Sequence, residues 1–248
     1  MRTLLTITAA VLLFTGIPDR GWGDDQADPQ AVLDKAIAAV GGEAKLAKFK
    51  ARTWTENGTV YVMDNARPFS RKVAVQWPAQ SRDEYGQANG IIGVLNRDKG
   101  WQKRGDATRE MSPTLLAFYQ EQQYLRWVTC QLPLQDKAFT FSPVGTAKID
   151  DREAVGIRVS HKDHADATLF FDKQTGLLVK AESIKTYTQD GTAMSVNVED
   201  FYSNYQDVEG VKVPLKIIQK YDGKLRLETE LTDFRILERL DDSVFAQP

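Results

Sequence analysis

The chain has 248 residues, with 32 basic and 34 acidic side chains and a formal net charge of −2. The two signs are interspersed, and no basic stripe of the kind that phosphate backbones require runs along the chain, which argues against nucleic acid as a partner. A single cysteine, Cys130, excludes an internal disulfide, and no apolar run after residue 23 approaches the ~20 residues that a membrane-spanning helix needs.

The first residues read as an export signal. Arg2 supplies the positive start, Leu4 to Phe14 form a short apolar stretch, and Gly16 and Pro18 end it. Gly21 and Gly23 set small residues at the −3 and −1 positions of a cut before Asp24, the layout of a cleaved secretory signal. The expectation is a signal peptide over residues 1–23 and one mature domain over 24–248, released into the periplasm.

The mature chain opens with two helices. Asp28-Pro29 is a cap followed by a first-turn proline. Val32, Leu33, Ala36, Ile37 and Val40 then fall on one helical face, and Gly41-Gly42 stops the helix. Glu43 to Phe49 forms a second short piece.

From there the period changes to two. Val73, Val75 and Trp77 alternate with polar or small residues, as do Val155, Ile157 and Val159, then Val211, Val213, Leu215 and Ile217, and later Leu225, Leu227 and Leu231. Strands with one greasy and one wet face belong to antiparallel sheets. Turn signals at 97–100, 172–176, 189–191 and 222–223 separate these runs into consecutive hairpins, about ten strands by this template. One helix interrupts them. Ser112-Pro113 caps it, and Leu115, Leu116, Phe118, Tyr119, Leu125, Trp127 and Val128 make the segment from Pro113 to Val128 unusually greasy. Such a helix, set midway in a meander, lies across one sheet face or plugs the mouth of a barrel. The wet faces carry charge, whereas a membrane barrel turns apolar residues outward. The apolar faces therefore turn inward, onto helices or around a cavity. Cys130, just after this helix, reads as a buried inert thiol.

Several stretches together resemble the LolA-like proteins, the periplasmic lipoprotein-carrier superfamily often labelled outer-membrane lipoprotein-sorting protein. They are AIAAVGGEAKL from Ala36, Asp98-Lys99-Gly100-Trp101, LFFDKQTGLLVKA from Leu169, YSNYQDVEGVKVPLK from Tyr202, and the tail from Leu240 to Phe245 with Pro248. The resemblance implies a mostly β fold: an incomplete, strongly curved antiparallel β-barrel with covering α-helices, enclosing an apolar cavity for acyl chains. It also implies an arginine on an early strand that latches the helical lid. Arg71 and Arg82 are the candidates for that residue.

The candidate cavity and lid residues are Trp54, Val73, Val75, Trp77, Trp101, Leu115, Phe118, Tyr119, Leu125 and Trp127. Aromatic side chains also dominate ordinary cores, so the sequence leaves a filled interior open beside a hollow one. Catalytic and metal signatures are sparse. His161 and His164, the only histidines, sit with Asp163 and Asp166 in a turn-like stretch, and a zinc site needs about three ligands in fixed geometry. There is no Gly-x-Ser-x-Gly elbow and no Gly-rich phosphate loop. The paired acids Asp24-Asp25 and Asp241-Asp242 read as solvated.

These features predict a monomeric periplasmic binder or carrier of lipids or lipoproteins. It would act without enzymatic activity, metal or cofactor, with acyl chains and envelope membrane proteins as its partners. The alternative is an envelope interaction module with a filled core that binds a protein.

Overall fold

A computed structural model describes residues 27–62, 65–86, 90–131, 134–189 and 192–248. The expected signal segment and its expected cut before Asp24 lie outside the described residues. The first helix, α1 (Pro29–Ala39), starts where the Asp28-Pro29 pair sets it: the Asp28 carboxylate accepts the Gln30 N–H at 3.1 Å. A second helix, α2 (Glu43–Lys48), follows at once. The Gly41-Gly42 break is needed sterically. Gly41 has φ +127° and lies where any Cβ would strike the Gly210 carbonyl, so the chain turns there hard against the sheet.

Among the described residues thirteen strands then form one antiparallel sheet, against the roughly ten expected. They are β1 (Ala51–Val62), β2 (Asn65–Gln76), β3 (Gln80–Tyr85), β4 (Ile91–Asn96), β5 (Lys99–Arg104), β6 (Ala107–Glu110), β7 (Phe139–Ile149), β8 (Arg152–His161), β9 (Ala167–Asp172), β10 (Leu178–Gln189), β11 (Thr192–Val208), β12 (Val211–Tyr221) and β13 (Lys224–Leu237). The extra strands are short ones, such as β6, whose four residues carry no readable alternation. The order across the sheet is β6-β5-β4-β3-β2-β1-β13-β12-β11-β10-β9-β8-β7. The first six strands thus make one wing and the last seven another, joined by the β1–β13 ladder. The sheet curls without closing, so the expected incomplete barrel is the architecture found, with β6 and β7 as its edges.

The third helix, α3 (Pro113–Thr129), connects those two edges and crosses the concave side. Ser112 caps it by accepting the Leu115 N–H at 3.3 Å. The first wing is cut to receive it: a Cβ at Gly93 on β4 would fall inside the Tyr119 ring, so the absence of a side chain there makes the seat. On the second wing the main core gathers Tyr124 and Val128 of α3, Leu33 and Ala36 of α1, and Ile157, Leu169 and Phe171 of the sheet. Ile37, Val40 and Leu46 pack on Val211, Val213 and Ile236. α1 and α2 thereby cover the end of the sheet that carries the β9–β10 and β11–β12 turns, where Lys35 donates to the Lys173 carbonyl at 2.6 Å and Lys45 to that of Gly210 at 3.1 Å. The C-terminal turn, Asp242–Phe245, lies on the other face of the first wing, where Arg82 donates to the Val244 carbonyl at 3.3 Å. No helix among the described residues is long and apolar enough to cross a membrane.

Candidate functional site

The concave side is not filled. Two adjacent lobes occupy it, of about 900 Å³ and about 580 Å³, sharing Arg71, Gln219, Tyr221 and Leu227 as common wall. The larger lobe lies toward the end of the sheet opposite α1 and α2. Its walls come from β1 and β2 (Val60, Phe69, Arg71), β3 to β5 (Tyr85, Ile91, Arg104) and β12 to β13 (Tyr221, Arg226, Leu227). The smaller lobe lies between α3, which contributes Ala117, Phe118, Glu121, Leu125 and Arg126, and the inner face of β9 to β12, which contributes Ala167, Ala181, Val198 and Tyr202. Small side chains line up across that face because the register pairs Ala181 with Leu169 and Asp200, and Ser183 with Ala167 and Val198. The strand alternation thus leaves room where α3 passes overhead.

Charge is built into the floor between the lobes. Glu56 on β1 faces Arg71 on β2 across the ladder, and Arg71 donates to it from both Nε and Nη2. Arg71 also meets Asp83 on β3 at 3.3 Å, and Asp83 in turn receives Arg126 of α3 at 2.8 Å. Trp54 donates to the other Glu56 oxygen at 2.9 Å. Glu56 and Asp83 are almost fully buried. Burial opposes charge on Arg71, yet the Glu56 and Asp83 carboxylates more than offset it and raise its pKa. Burial likewise works against the Asp83 carboxylate, but Arg126 and Arg71 hold its pKa below the ordinary value of 3.8. The network is a closed row of alternating charge, which is how a buried ion earns its place: every member is paired.

Asp200 on β11 is different. It faces the smaller lobe, half-buried, beside Gln219, whose amide donates to it at 2.8 Å. Burial pushes its carboxyl up from 3.8 to about 6, with Gln219 and Lys185 only partly restraining the shift. Lys185 donates to the Tyr221 hydroxyl at 3.0 Å and lies 4.5 Å from the centre of the Phe118 ring, so the lysine spans the wall between helix and sheet.

The His-Lys-Asp-His stretch ends β8 and turns into β9. There His164 Nδ1 lies 2.9 Å from Glu121 of α3, and the other Glu121 oxygen accepts the Ala165 N–H at 3.1 Å. The His164 ring stacks on Tyr124 with centroids 3.8 Å apart. This cluster fastens α3 to the second wing. Among the described residues no group of three or more His, Cys, Asp or Glu side chains is placed to hold a metal ion.

The sequence-derived candidates divide in the structure. Phe118 and Leu125 line the smaller lobe, and Arg71 lines both. Trp54, Val73, Val75 and Trp77 line neither. Val73, Val75 and Trp77 are buried in a cluster beside α3 that Trp54, Trp127 and Cys130 flank, and the Cys130 thiol, expected to be buried, is only partly so. Tyr119 is buried on Gly93, and Leu115, half-buried, lines neither lobe. Trp101 pairs with Val94, which pairs with Arg82, so Trp101 lies on the face away from the cavity. Arg82 lies on that face too, paired with Glu84. Arg71 alone of the two arginines reaches the cavity floor, and it meets the helix only through Asp83; the side chain that crosses from helix to sheet is Arg126. Sequence reading missed Asp83, Arg126, Asp200, Lys185 and the small residues of β9 and β10. One signal was present. Arg71 is in phase with Val73 and Val75, Glu56 with Trp54, and Asp200 with Val198 and Tyr202, so each sits on the greasy face of its strand.

No family model and no curated protein matches the chain. Solved structures do. A LolA superfamily protein from Nitrosomonas europaea is 14% identical with a TM-score of 0.57, covering 88% of this chain and 97% of its own. A DUF1329 family protein from Desulfovibrio piger is 12% identical with a TM-score of 0.59, covering 88% and 98%. A putative outer membrane lipoprotein-sorting protein domain from Vibrio parahaemolyticus is 12% identical with a TM-score of 0.53, covering 87% and 94%. The chain therefore has the LolA-like fold: a curled, unclosed antiparallel sheet with its helices set across the hollow side.

Proposed function

We propose that this protein binds lipids or the acyl chains of lipoproteins in the two-lobed cavity and carries them through the periplasm without chemical change. The observation that carries this reading is the unfilled space roofed by α3. Its lobes match the few hundred to about 1,000 Å³ of ligand pockets in general. Phe118, Leu125, Val198 and Leu227 supply apolar wall, and each methylene moved onto such a wall contributes about 0.8 kcal/mol. The likeness of fold to a lipoprotein-sorting domain supports the same reading. The hollow interior argues against the interaction module with a filled core.

Native mass spectrometry of the mature protein recovered from its envelope fraction tests the proposal. A co-purified acyl-containing mass, exchangeable for a fluorescent fatty acid, is the expected result. A protein that emerges ligand-free and takes up neither the fluorescent acid nor its neutral ester refutes it.

A further inference from the structure

The two lobes differ in charge. Arg71, Arg126 and Lys185 in the smaller lobe face Glu121, Glu182 and Asp200, three cations against three anions. The residues lining the larger lobe include Arg71, Arg104 and Arg226 and no carboxylate. Arg71 is already matched within the row of Glu56, Asp83 and Arg126. Arg104 and Arg226 have no ion pair to any described residue. Arg104 donates from Nε to Gln102 at 3.0 Å, and Arg226 donates from one terminal nitrogen to the Tyr61 carbonyl. Toward the described residues each therefore keeps guanidinium N–H groups unspent, and both line the larger lobe.

Arg226 is there because of an irregularity. Gln219 pairs with Leu227 and Lys220 with Leu225, which leaves Arg226 as the extra residue of a bulge in β13. Strict alternation would send Arg226 to the far side from Leu227, yet both line the larger lobe. A bulge of this kind re-aims one side chain, and bulges concentrate beside functional sites. Here it turns a guanidinium toward the cavity over the Tyr221 ring, 5.7 Å from its centre. Arg104, at the end of β5 next to Gly105, approaches from the other wing in the phase of Gly93 and Gln102.

Resting on the lipid-binding reading, we propose that the ligand is an anionic amphiphile, whose acidic head is held by Arg104 and Arg226 in the larger lobe while its chain runs past Leu227 and Tyr221 into the smaller lobe beneath α3. A planar guanidinium pairs a carboxylate or phosphate through parallel N–H donors, and the half-buried Arg226 is less screened by solvent than the exposed Arg104. Leu227 and the Tyr221 ring, which line both lobes, give the chain apolar surface between head site and tail site.

The test uses two probes of one chain length, hexadecanoate and its uncharged methyl ester, against the mature protein at pH 8, with hexadecyl phosphate as a third arm to separate carboxylate from phosphate heads. The expected result is that the parent binds one or both anions about tenfold or more tighter than the ester, the scale of a charge-assisted hydrogen bond. In Arg104→Gln with Arg226→Gln the preference falls to near unity while ester affinity is kept, which also shows that the variant is folded. Equal affinity of the parent for the anions and the ester overturns the head-group assignment and leaves lipid binding standing. Binding of none of the three probes overturns lipid binding itself. A full anion preference that survives the double substitution overturns the assignment of these two arginines.

Discussion

Arg126 on α3 and Asp83 on β3 are joined by two parallel N–H···O bonds, 2.8 Å from Nη2 to Oδ1 and 3.3 Å from Nη1 to Oδ2. The pair links the helix over the cavity to the first wing of the sheet. The Glu121–His164 contact links the same helix to the second wing, but in a more exposed setting. Asp83→Asn leaves Arg126 and Arg71 without their shared anion, and breaking a buried pair costs about 3–5 kcal/mol. Glu121→Gln removes only a half-exposed contact, for about 0.3–1 kcal/mol. Denaturant midpoints measure both. Amide exchange over residues 113–129 in Asp83→Asn should rise more than in the sheet, and uniform exchange across the molecule would show that the pair holds the whole fold rather than the helix.

Asp200 gives the protein a pH dependence of definite sign. Its folded-state pKa, about 6, lies above its ordinary value of 3.8, so the folded state favours the protonated form. The stability contribution from Asp200 is full below about pH 4, declines as pH rises through 6, and is a constant cost above that. Asp200→Asn should therefore stabilise the protein at pH 7.5 by about 1–3 kcal/mol while changing little at pH 4. An acyl chain covering the carboxyl strengthens the same preference. A neutral ester should bind more tightly at pH 5 than at pH 7.5 in the parent and equally at both in the variant. Parallel pH profiles for parent and variant would refute the assignment.

Phe118 and Leu169 separate wall from core. Leu169 is fully buried in the main cluster, and Leu169→Ala should cost about 2–5 kcal/mol. Phe118 is half-buried on the smaller lobe, with the cavity on one side and Lys185 on another. Phe118→Ala should cost about 1–2 kcal/mol, less than the usual core phenylalanine, because fewer contacts are lost. Its ligand affinity should fall by more than its stability implies. A Phe118→Ala loss as large as that of Leu169→Ala would place the ring in the core instead.

Gly93 is the seat of Tyr119, whose burial raises its hydroxyl pKa to about 12. Gly93→Ala should force the ring, and α3 with it, away from β4, destabilising by about 1–3 kcal/mol as overpacking does. Combining it with Tyr119→Leu should recover part of that loss. Additive losses in the double variant would show that the two positions do not meet.

The helices and most turns could be read from the sequence because their signals are local. Asp28-Pro29 and Ser112-Pro113 cap helices at the positions they mark, Asp222-Gly223 joins strands as expected, and the turn expected over 172–176 falls one residue later, at 173–177. The hollow was read less well, because it depends on how a curled sheet meets a helix. Trp54 and Trp77 share the greasy phase of the cavity strands, yet they pack against Trp127, near the C-terminal end of α3, instead of lining the hollow. Ala167, Ala181 and Ser183 leave the space, and a small residue in a strand announces nothing by itself. Arg71 and Asp200 stood in the wrong phase for a solvent face; that misplacement was the one visible sign of a polar interior.

The strand order also sets how the chain must assemble. Every ladder but one joins strands that are neighbours in sequence; the exception is β1 with β13, which brings Ala51 opposite Leu237. The two wings can zip up independently as strings of hairpins, a cheap local process, while their union must close the long loop from Ala51 to Leu237. Before that union the inner faces of both wings are bare, and α3, tethered between their far edges, is the segment in position to shield them. The helix that roofs the cavity is also the stretch of chain that leads from one wing to the other.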